Sequence, residues 1–252
     1  MREKILGTTV TVTVDRPLGS RHPRHPDMVY PINYGYVEGT PGGDGEYQDA
    51  YILGVDQPVA QFTGQVIGVI HRHNDAETKW VVVPAGLRLH QAQIMEQVHF
   101  QEQYFRSYVN AQYERSCGII PYRITDHGIE YLLVQQRGSH TWSFPKGHME
   151  PFESESETAA RELWEETRQI CSLLPGFRET VTYSLGHRRS KTVVLFLGQV
   201  QRKTQVQRNE VLTARFLPMN EALLLLQPNG SQQLPYPQIL MQAEQRILSG
   251  CI

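Results

Sequence analysis

The chain has 252 residues, long enough for two modest domains. Hydrophobic residues make up 40% and charged residues 20%, as in ordinary folded proteins, and a formal charge of −2 leaves no electrostatic case for a nucleic-acid or membrane partner. Cys117, Cys171 and Cys251 are far apart and odd in number, which argues against a disulfide framework or a cysteine zinc site.

Met1 to Val14 alternates Thr and Val as a strand does and lacks the apolar core of a signal peptide. No window approaches the length of a membrane span, so the cytoplasm is the expected compartment. Next comes Tyr30-Pro31-Ile32-Asn33-Tyr34-Gly35-Tyr36, then Asp44-Gly45-Glu46-Tyr47-Gln48-Asp49, then Lys79-Trp80-Val81-Val82-Val83-Pro84. A helix is expected over residues 90–108, with Ile94, Val98, Phe105 and Tyr108 on one side. His71-Arg72-His73 puts two imidazoles on one side of a strand, with no third zinc ligand in view.

These segments resemble the family I soluble inorganic pyrophosphatases. The resemblance implies a small β-barrel with a closing helix. It implies a carboxylate cluster of Asp44, Glu46, Asp49 and Glu77 for Mg2+, with Lys79, Tyr34 and Tyr104 toward phosphate. The pattern departs from that family where Glu46 and Glu77 replace Asp and Tyr47 replaces Pro. The family's long hairpin before Tyr30, with its cationic and acidic ligands, is replaced by Arg16 to Met28. Arg21 and Arg24 either stand in for the lost cations or decorate a plain Pro-rich surface loop.

The join falls near Ser107–Glu114, giving an expected division into residues 1–108 and 109–252. Strands are expected at Cys117–Thr125 and Glu130–Gln136 around an Asp126-His127-Gly128 turn, and at Thr180–Leu185, Thr192–Val200 and Val211–Leu217. Asn220–Leu226 and Pro237–Leu248 read as helices. Ser154 to Thr167 is rich in Glu, Ala, Leu and Arg and favours helix, with Ser154 and Glu157 at the spacing of a capping box. On that helix Glu162 and Glu166 share a face, Arg161 and Glu165 stand one turn apart, and Ala159 and Leu163 form an apolar stripe. Two adjacent carboxylates repel unless a cation lies between them, and oxygen ligands suit Mg2+.

Within Gly147 to Glu166, the spacing of Gly147, Glu153, Arg161, Glu162, Leu163, Glu165 and Glu166 matches the Nudix box, G-x5-E-x7-R-E-U-x-E-E with U a bulky aliphatic residue. Phe152 stands where that family usually has Gly, and Arg168-Gln169 replaces its Gly-aliphatic pair after the helix. Phe144-Pro145-Lys146-Gly147-His148, Glu150-Pro151 and Pro175-Gly176-Phe177-Arg178-Glu179 further resemble the asymmetrical bis(5′-nucleosyl)-tetraphosphatases. These hydrolyse diadenosine tetraphosphate to ATP and AMP.

The resemblance implies an α/β/α sandwich in the second half and an α+β chain as a whole. It assigns metal, Mg2+ with Mn2+ as the alternative, to Glu162 and Glu166, with the Gly147 carbonyl as a further ligand and Glu153 and Glu165 as support. Glu210 or Glu162 is the implied base, Arg161 belongs to the catalytic set, and Lys146, His148 and Lys191 are directed to phosphates. Only five basic residues are Lys, and Lys79, Lys146 and Lys191 fall in these segments. Tyr183 and Tyr236 are candidates to stack a base, with core packing the plainer role. The expected activity is hydrolysis of phosphoanhydrides in small nucleotide polyphosphates, and the first half is either a reduced pyrophosphatase with pyrophosphate as a second substrate or a barrel that binds phosphates without turnover. A house-cleaning nucleoside triphosphate pyrophosphatase is the alternative within the class, and a nucleotide-sensing module the alternative outside it.

Overall fold

A computed structural model describes residues 2–73, 75–138, 140–200, 211–227 and 234–250. The strands of the first half are β1 (Thr9–Arg16), β2 (Arg21–His22), β3 (His25–Val29), β4 (Asn33–Pro41), β5 (Tyr47–Ile52), β6 (Gln61–Arg72), β7 (Thr78–Val83) and β8 (Ser107–Ala111), with α1 (Gln91–Glu102) before β8. The second half holds β9 (Tyr113–Thr125), β10 (Gly128–Gln136), β11 (Trp142–Ser143), β12 (Lys146–His148), α2 (Glu155–Thr167), β13 (Cys171–Gly186), β14 (Arg189–Val200), β15 (Val211–Pro218), α3 (Met219–Leu225) and α4 (Tyr236–Ser249). The chain divides into two compact units. One comprises Met1–Glu114, Glu150–Phe152 and Ser184–Lys191, and the other Arg115–Met149, Glu153–Tyr183 and Thr192–Ile252.

In the first unit the strands run β1-β4-β5-β7-β6, and β6 pairs back onto β1, closing a five-stranded barrel; β8 adds to the far end of β6. Closure leaves few open edges. Alternation along the strands builds two cores. Val12, Val37, Ala50, Ile52, Val66 and Val82, drawn from all five strands, pack together as the barrel's filling. Tyr51, Leu53, Ile67, Val81 and Val83, on the other face, pack with Ile94 and Val98 of α1. The stretch from Arg16 to Met28 is not a plain loop, because β2 and β3 pair as a short antiparallel ribbon braced by Arg21, whose Nη1 donates to the Pro26 carbonyl at 2.7 Å.

The expected helix over 90–108 stops at Glu102. Ser107–Ala111 is recruited instead as β8, with Tyr108 opposite His71 and Ser107 opposite Arg72. Tertiary strand pairing overrides the local helical reading there. His71 and His73 both lie against the Tyr108 ring, with centroids at 5.0 and 5.5 Å, so these imidazoles pack on an aromatic group.

In the second unit the sheet order is β11-β10-β9-β14-β13, with β12 on β9 and β15 on β10. Both faces are covered, which explains the near-continuous apolar runs in β9, β10 and β14. Cys117, Ile119 and Val194 pack with Ala159 and Leu163 of α2. Ile120, Tyr122, Val193 and Leu195 pack with Ala222 of α3 and Ile239, Leu240, Ala243 and Ile247 of α4. Helices on opposite faces of one sheet make a three-layer sandwich. β13 is much longer than the expected Thr180–Leu185 strand. It lies at the sheet edge and is largely exposed, so it carries little alternation, and it accommodates Pro175 as edge strands do. Among the described residues, no helix is long and apolar enough to cross a membrane.

Candidate active site

The acidic helix α2 begins as its sequence demands. Ser154 accepts from the Glu157 backbone N–H, and the Glu157 side chain accepts from the Ser154 N–H, a complete capping box. Ala159 and Leu163 are fully buried and seat the helix on the sheet. That docking takes Glu162 and Glu166 inward, leaving them 8% and 5% exposed, while Glu165 on the outer side stays exposed.

The two positions where the motif expects Gly keep the backbone that Gly would adopt. Phe152 has φ +67° and Arg168 has φ +56°, both left-handed. Arg168 closes α2 by donating its N–H to the Trp164 carbonyl at 2.8 Å. The exit turn is therefore retained despite the missing glycine, at the ordinary cost of a left-handed residue bearing a side chain, about 1–2 kcal/mol.

Glu166 accepts from the Gln136 side chain at 3.1 Å and from the Lys146 backbone N–H at 3.3 Å. Burial pushes its carboxyl up to about 7, and the negative field of Glu162 adds to the rise. Glu162 itself packs on the α-carbon of Gly147, where a methyl group would stand only 2.0 Å from its carboxyl carbon. Only glycine fits there, which is the physical reason for glycine at the first position of the motif. Gly147→Ala should therefore displace Glu162 and lower kcat by about 100-fold with the fold retained; steady-state kinetics beside a circular-dichroism melt check this.

Arg161 gathers the remaining carboxylates. It forks onto Glu153 with contacts of 2.6 and 3.0 Å and reaches Glu162 at 2.8 Å and Glu165 at 3.1 Å. It also donates to the His148 carbonyl at 3.0 Å. Arg161 thus ties the loop at His148, the Glu153 turn and helix α2 into one frame. Thr158 steadies Glu153 with a 2.7 Å hydrogen bond. Lys146 donates from Nζ to Ser143 Oγ at 3.0 Å, and the His148 side chain is exposed. Beyond this frame, Glu155 is held by Arg115 and by both arms of Arg178.

Among the described residues, no group of three or more His, Cys, Asp or Glu side chains is set to hold a metal ion. Glu153 and Glu162 are turned onto Arg161. The donor chemistry nevertheless suits a hard divalent ion. Glu162 and Glu166 are mutually repelling, nearly buried carboxylates beside Gly147, and such an ion commonly takes one or two carboxylates plus phosphate oxygens. Glu210 lies outside the described residues. Lys191 falls within β14, half-buried and in the first unit. Tyr236 is 4% exposed in the core, edge-on to Phe144, and Tyr183 packs against the same core.

In the first unit, the structure brings together four of the expected residues. Lys79 Nζ donates to Tyr34 Oη at 2.7 Å, Asp49 at 2.8 Å and Glu77 at 2.9 Å. Burial, and next the adjoining Asp49, push the Glu77 carboxyl up to about 7. Asp44 and Glu46 sit on an exposed turn where Asp44 accepts from the Glu46 N–H, and neither side chain bonds to the Lys79 cluster. Tyr104, beyond the end of α1, is 68% exposed and bonds to none of the four.

Gln136, read in the sequence only as the last residue of a strand, proves to be a partner of Glu166 that no local pattern marks. Sequence reasoning also missed the buried set Arg72, Glu102 and Tyr51. Arg72 forks onto Glu102 at 2.7 and 3.0 Å, and Tyr51 donates to Glu102 at 2.6 Å. A Glu on the apolar side of α1 was the available signal, since an acid is almost never buried without a partner.

Residues 112–236 match the NUDIX domain model, and residues 8–122 match the inorganic pyrophosphatase model. The chain belongs to the Nudix hydrolases. It is 39% identical over 97 residues to the bis(5′-nucleosyl)-tetraphosphatase [asymmetrical] of Rattus norvegicus, across 34% of this chain and 65% of that protein. The chain thus spans less than two thirds of that relative's length. The enzyme of the same name from Caenorhabditis elegans is 32% identical over 97 residues, across 37% of this chain and 70% of that one. A solved structure, a binary complex of the C. elegans Ap4A hydrolase, is 24% identical with a TM-score of 0.48, covering 54% of this chain and 98% of that chain.

Proposed function

We propose that the second unit hydrolyses dinucleoside tetraphosphates, diadenosine tetraphosphate foremost, to ATP and AMP with Mg2+ as the metal. The carrying observation is the Glu162–Glu166 pair, buried on one face of α2 against Gly147 and framed by Arg161. Glu162 and Glu166 would hold the ion, with the Gly147 carbonyl as a further ligand and Glu153 and Glu165 as support. The ion, when bound, supplies charge neutralisation at the phosphate oxygens and acidifies a water.

The chain's own residues do the rest. Lys146 and His148, flanking Gly147, offer positive charge and a donor to the phosphate chain. Arg161 keeps the carboxylates from springing apart. Glu162 or Glu210 takes the proton of the attacking water. The likeness to the asymmetrical tetraphosphatases in rat and C. elegans supports the choice of substrate.

Incubation with diadenosine tetraphosphate and Mg2+, read by product chromatography, tests the reading. ATP plus AMP in equal amounts is expected. A nucleoside monophosphate plus pyrophosphate from nucleoside triphosphates, with the dinucleotide untouched, would transfer the assignment to triphosphate clearance. Tight nucleotide binding without any hydrolysis would make the unit a sensor.

For the first unit we infer hydrolysis of pyrophosphate at Asp49, Glu77, Lys79 and Tyr34. The match of residues 8–122 and the convergence of those four side chains support it. Removing pyrophosphate would make any reaction that releases it irreversible. Asp49→Asn should reduce orthophosphate release from pyrophosphate by about 100-fold, as loss of a carboxylate that orients Lys79 and belongs to the implied Mg2+ cluster does. Absence of release by the wild-type protein would sink this second assignment and leave the first untouched.

A further inference from the structure

A cleft of about 920 Å3 opens in the first unit between the β2–β3 ribbon and the end of α1. His22, Arg24 and His25 line one side and Phe100, Tyr104 and Phe105 the other. None of Asp49, Glu77 or Lys79 lines it, and the cleft adjoins the inferred pyrophosphate cluster without containing it, since Arg72 behind Phe105 also reaches Glu77 at 3.8 Å. Its volume lies in the range of about 300–1,000 Å3 typical of sites for organic ligands, far beyond what a pyrophosphate ion fills.

The lining has a particular chemistry. Tyr104 and Phe105 are 68% and 45% exposed, although large aromatic rings usually seek burial. Phe105 is not loose, because the Arg72 guanidinium lies 3.6 Å from its ring centroid and is itself fixed by Glu102. Phe100 is wedged edge-on against Tyr30 with centroids 5.4 Å apart. Across the cleft the His22 ring stacks parallel to Tyr30, at 9° and 6.2 Å, and leans on His25 at 4.9 Å. Flat faces on two sides, held by packing behind them, accept a planar aromatic group. Arg24 carries no ion pair among the described residues, while Arg72 and Lys79 are tied to carboxylates. Its guanidinium is therefore available to an anion at the same cleft.

We infer that this cleft binds a nucleoside 5′-monophosphate, with the base between the β2–β3 ribbon and Tyr104–Phe105 and the phosphate toward Arg24. The ligand class is the one that the reading of the second unit makes as product, and the inference rests on that reading only for this link.

The test uses the full chain and 8-azidoadenosine 5′-monophosphate, irradiated and mapped by peptide mass spectrometry. Adducts are expected on peptides covering residues 22–29 or 100–105. Excess AMP should suppress them, and the same concentration of pyrophosphate should not. Tyr104→Ala should lower the yield at least about 10-fold, the effect of losing one base-stacking ring. Arg24→Ala should raise the half-saturating probe concentration severalfold. No adduct on peptides covering residues 22–29 or 100–105, or competition by pyrophosphate as effective as that by AMP, would overturn the inference. Dinucleotide hydrolysis measured on the same samples is a separate readout. Its absence with labelling intact rejects the second unit's assignment alone, and its presence with no labelling rejects the cleft alone.

Discussion

Glu166→Gln should lower kcat on diadenosine tetraphosphate by at least about 100-fold, because even outer contacts of a metal site cost 10–100-fold and Glu166 is assigned a direct one. The same variant should be more stable than the wild type when metal is chelated. Glu166 is 5% exposed, and burial lifts its carboxyl from the usual 4.5 to about 7. The sign follows from linkage. A raised folded-state value means that the folded protein holds this proton longer than the unfolded chain. The wild type therefore loses stability as pH climbs from about 4.5 to about 7, and the loss is constant above that. Glutamine does not titrate and keeps the Gln136 and Lys146 contacts within reach. The advantage of the variant should grow across that window to about 3 kcal/mol. Thermal melts in chelator at pH 4.5 and pH 8 measure it. Equal stability of the two proteins at both pH values would mean that the carboxylate is solvated and is not the strained, metal-seeking group inferred here. Adding Mg2+ at pH 8 should reverse the order, since only the wild type has the full carboxylate pair to bind it.

Arg161→Ala should damage stability and activity together. Arg161 holds Glu153 through two hydrogen bonds and also Glu162, Glu165 and the His148 carbonyl. Its side chain is 22% exposed, and those of Glu153 and Glu162 are 19% and 11% exposed, so solvent screens the frame only in part. Removing the cation leaves carboxylates half-buried and facing one another. The expected loss is on the order of 2–3 kcal/mol, below that of a fully buried pair because of the residual exposure. Millimolar Mg2+ should recover part of this stability by supplying positive charge, while turnover stays at least about 100-fold down because Glu153 and the His148 loop are no longer fixed. Arg161→Lys should recover less than half of the stability, because a single ammonium cannot fork onto Glu153 while reaching Glu162. A lysine variant as stable and active as the wild type would show that charge alone, without the geometry of the fork, holds the site.

Local chemistry explains which parts of the fold are legible in the sequence. The capping box, the Ala159–Leu163 stripe and the Arg161–Glu165 pair all involve residues within one helix, where a 3.6-residue period makes neighbours certain. Strands β9, β10 and β14 were legible because continuous burial writes an apolar run into the chain. Only the Thr180–Leu185 part of β13 was legible, since the rest of this exposed edge strand leaves no such imprint. The end of α1 was misplaced because Ser107–Ala111 has a partner strand 39 residues or so away in sequence, a contact that no local window contains.

The motif spacing alone determined the family, the acidic helix and the identity of its carboxylates, because a regular helix converts spacing directly into shared faces. Only the tertiary structure decided that Arg161 gathers Glu153 from a preceding turn, that Gln136 and the Lys146 N–H support Glu166, and that Glu162 rests on Gly147. It likewise gave Lys79 the Tyr34 hydroxyl as its partner and set the Tyr104 ring at a cleft with His22, Arg24 and His25. These partners come from different elements. Their distances depend on how sheet, ribbon and helix pack, which side-chain order along the chain does not encode in any local pattern.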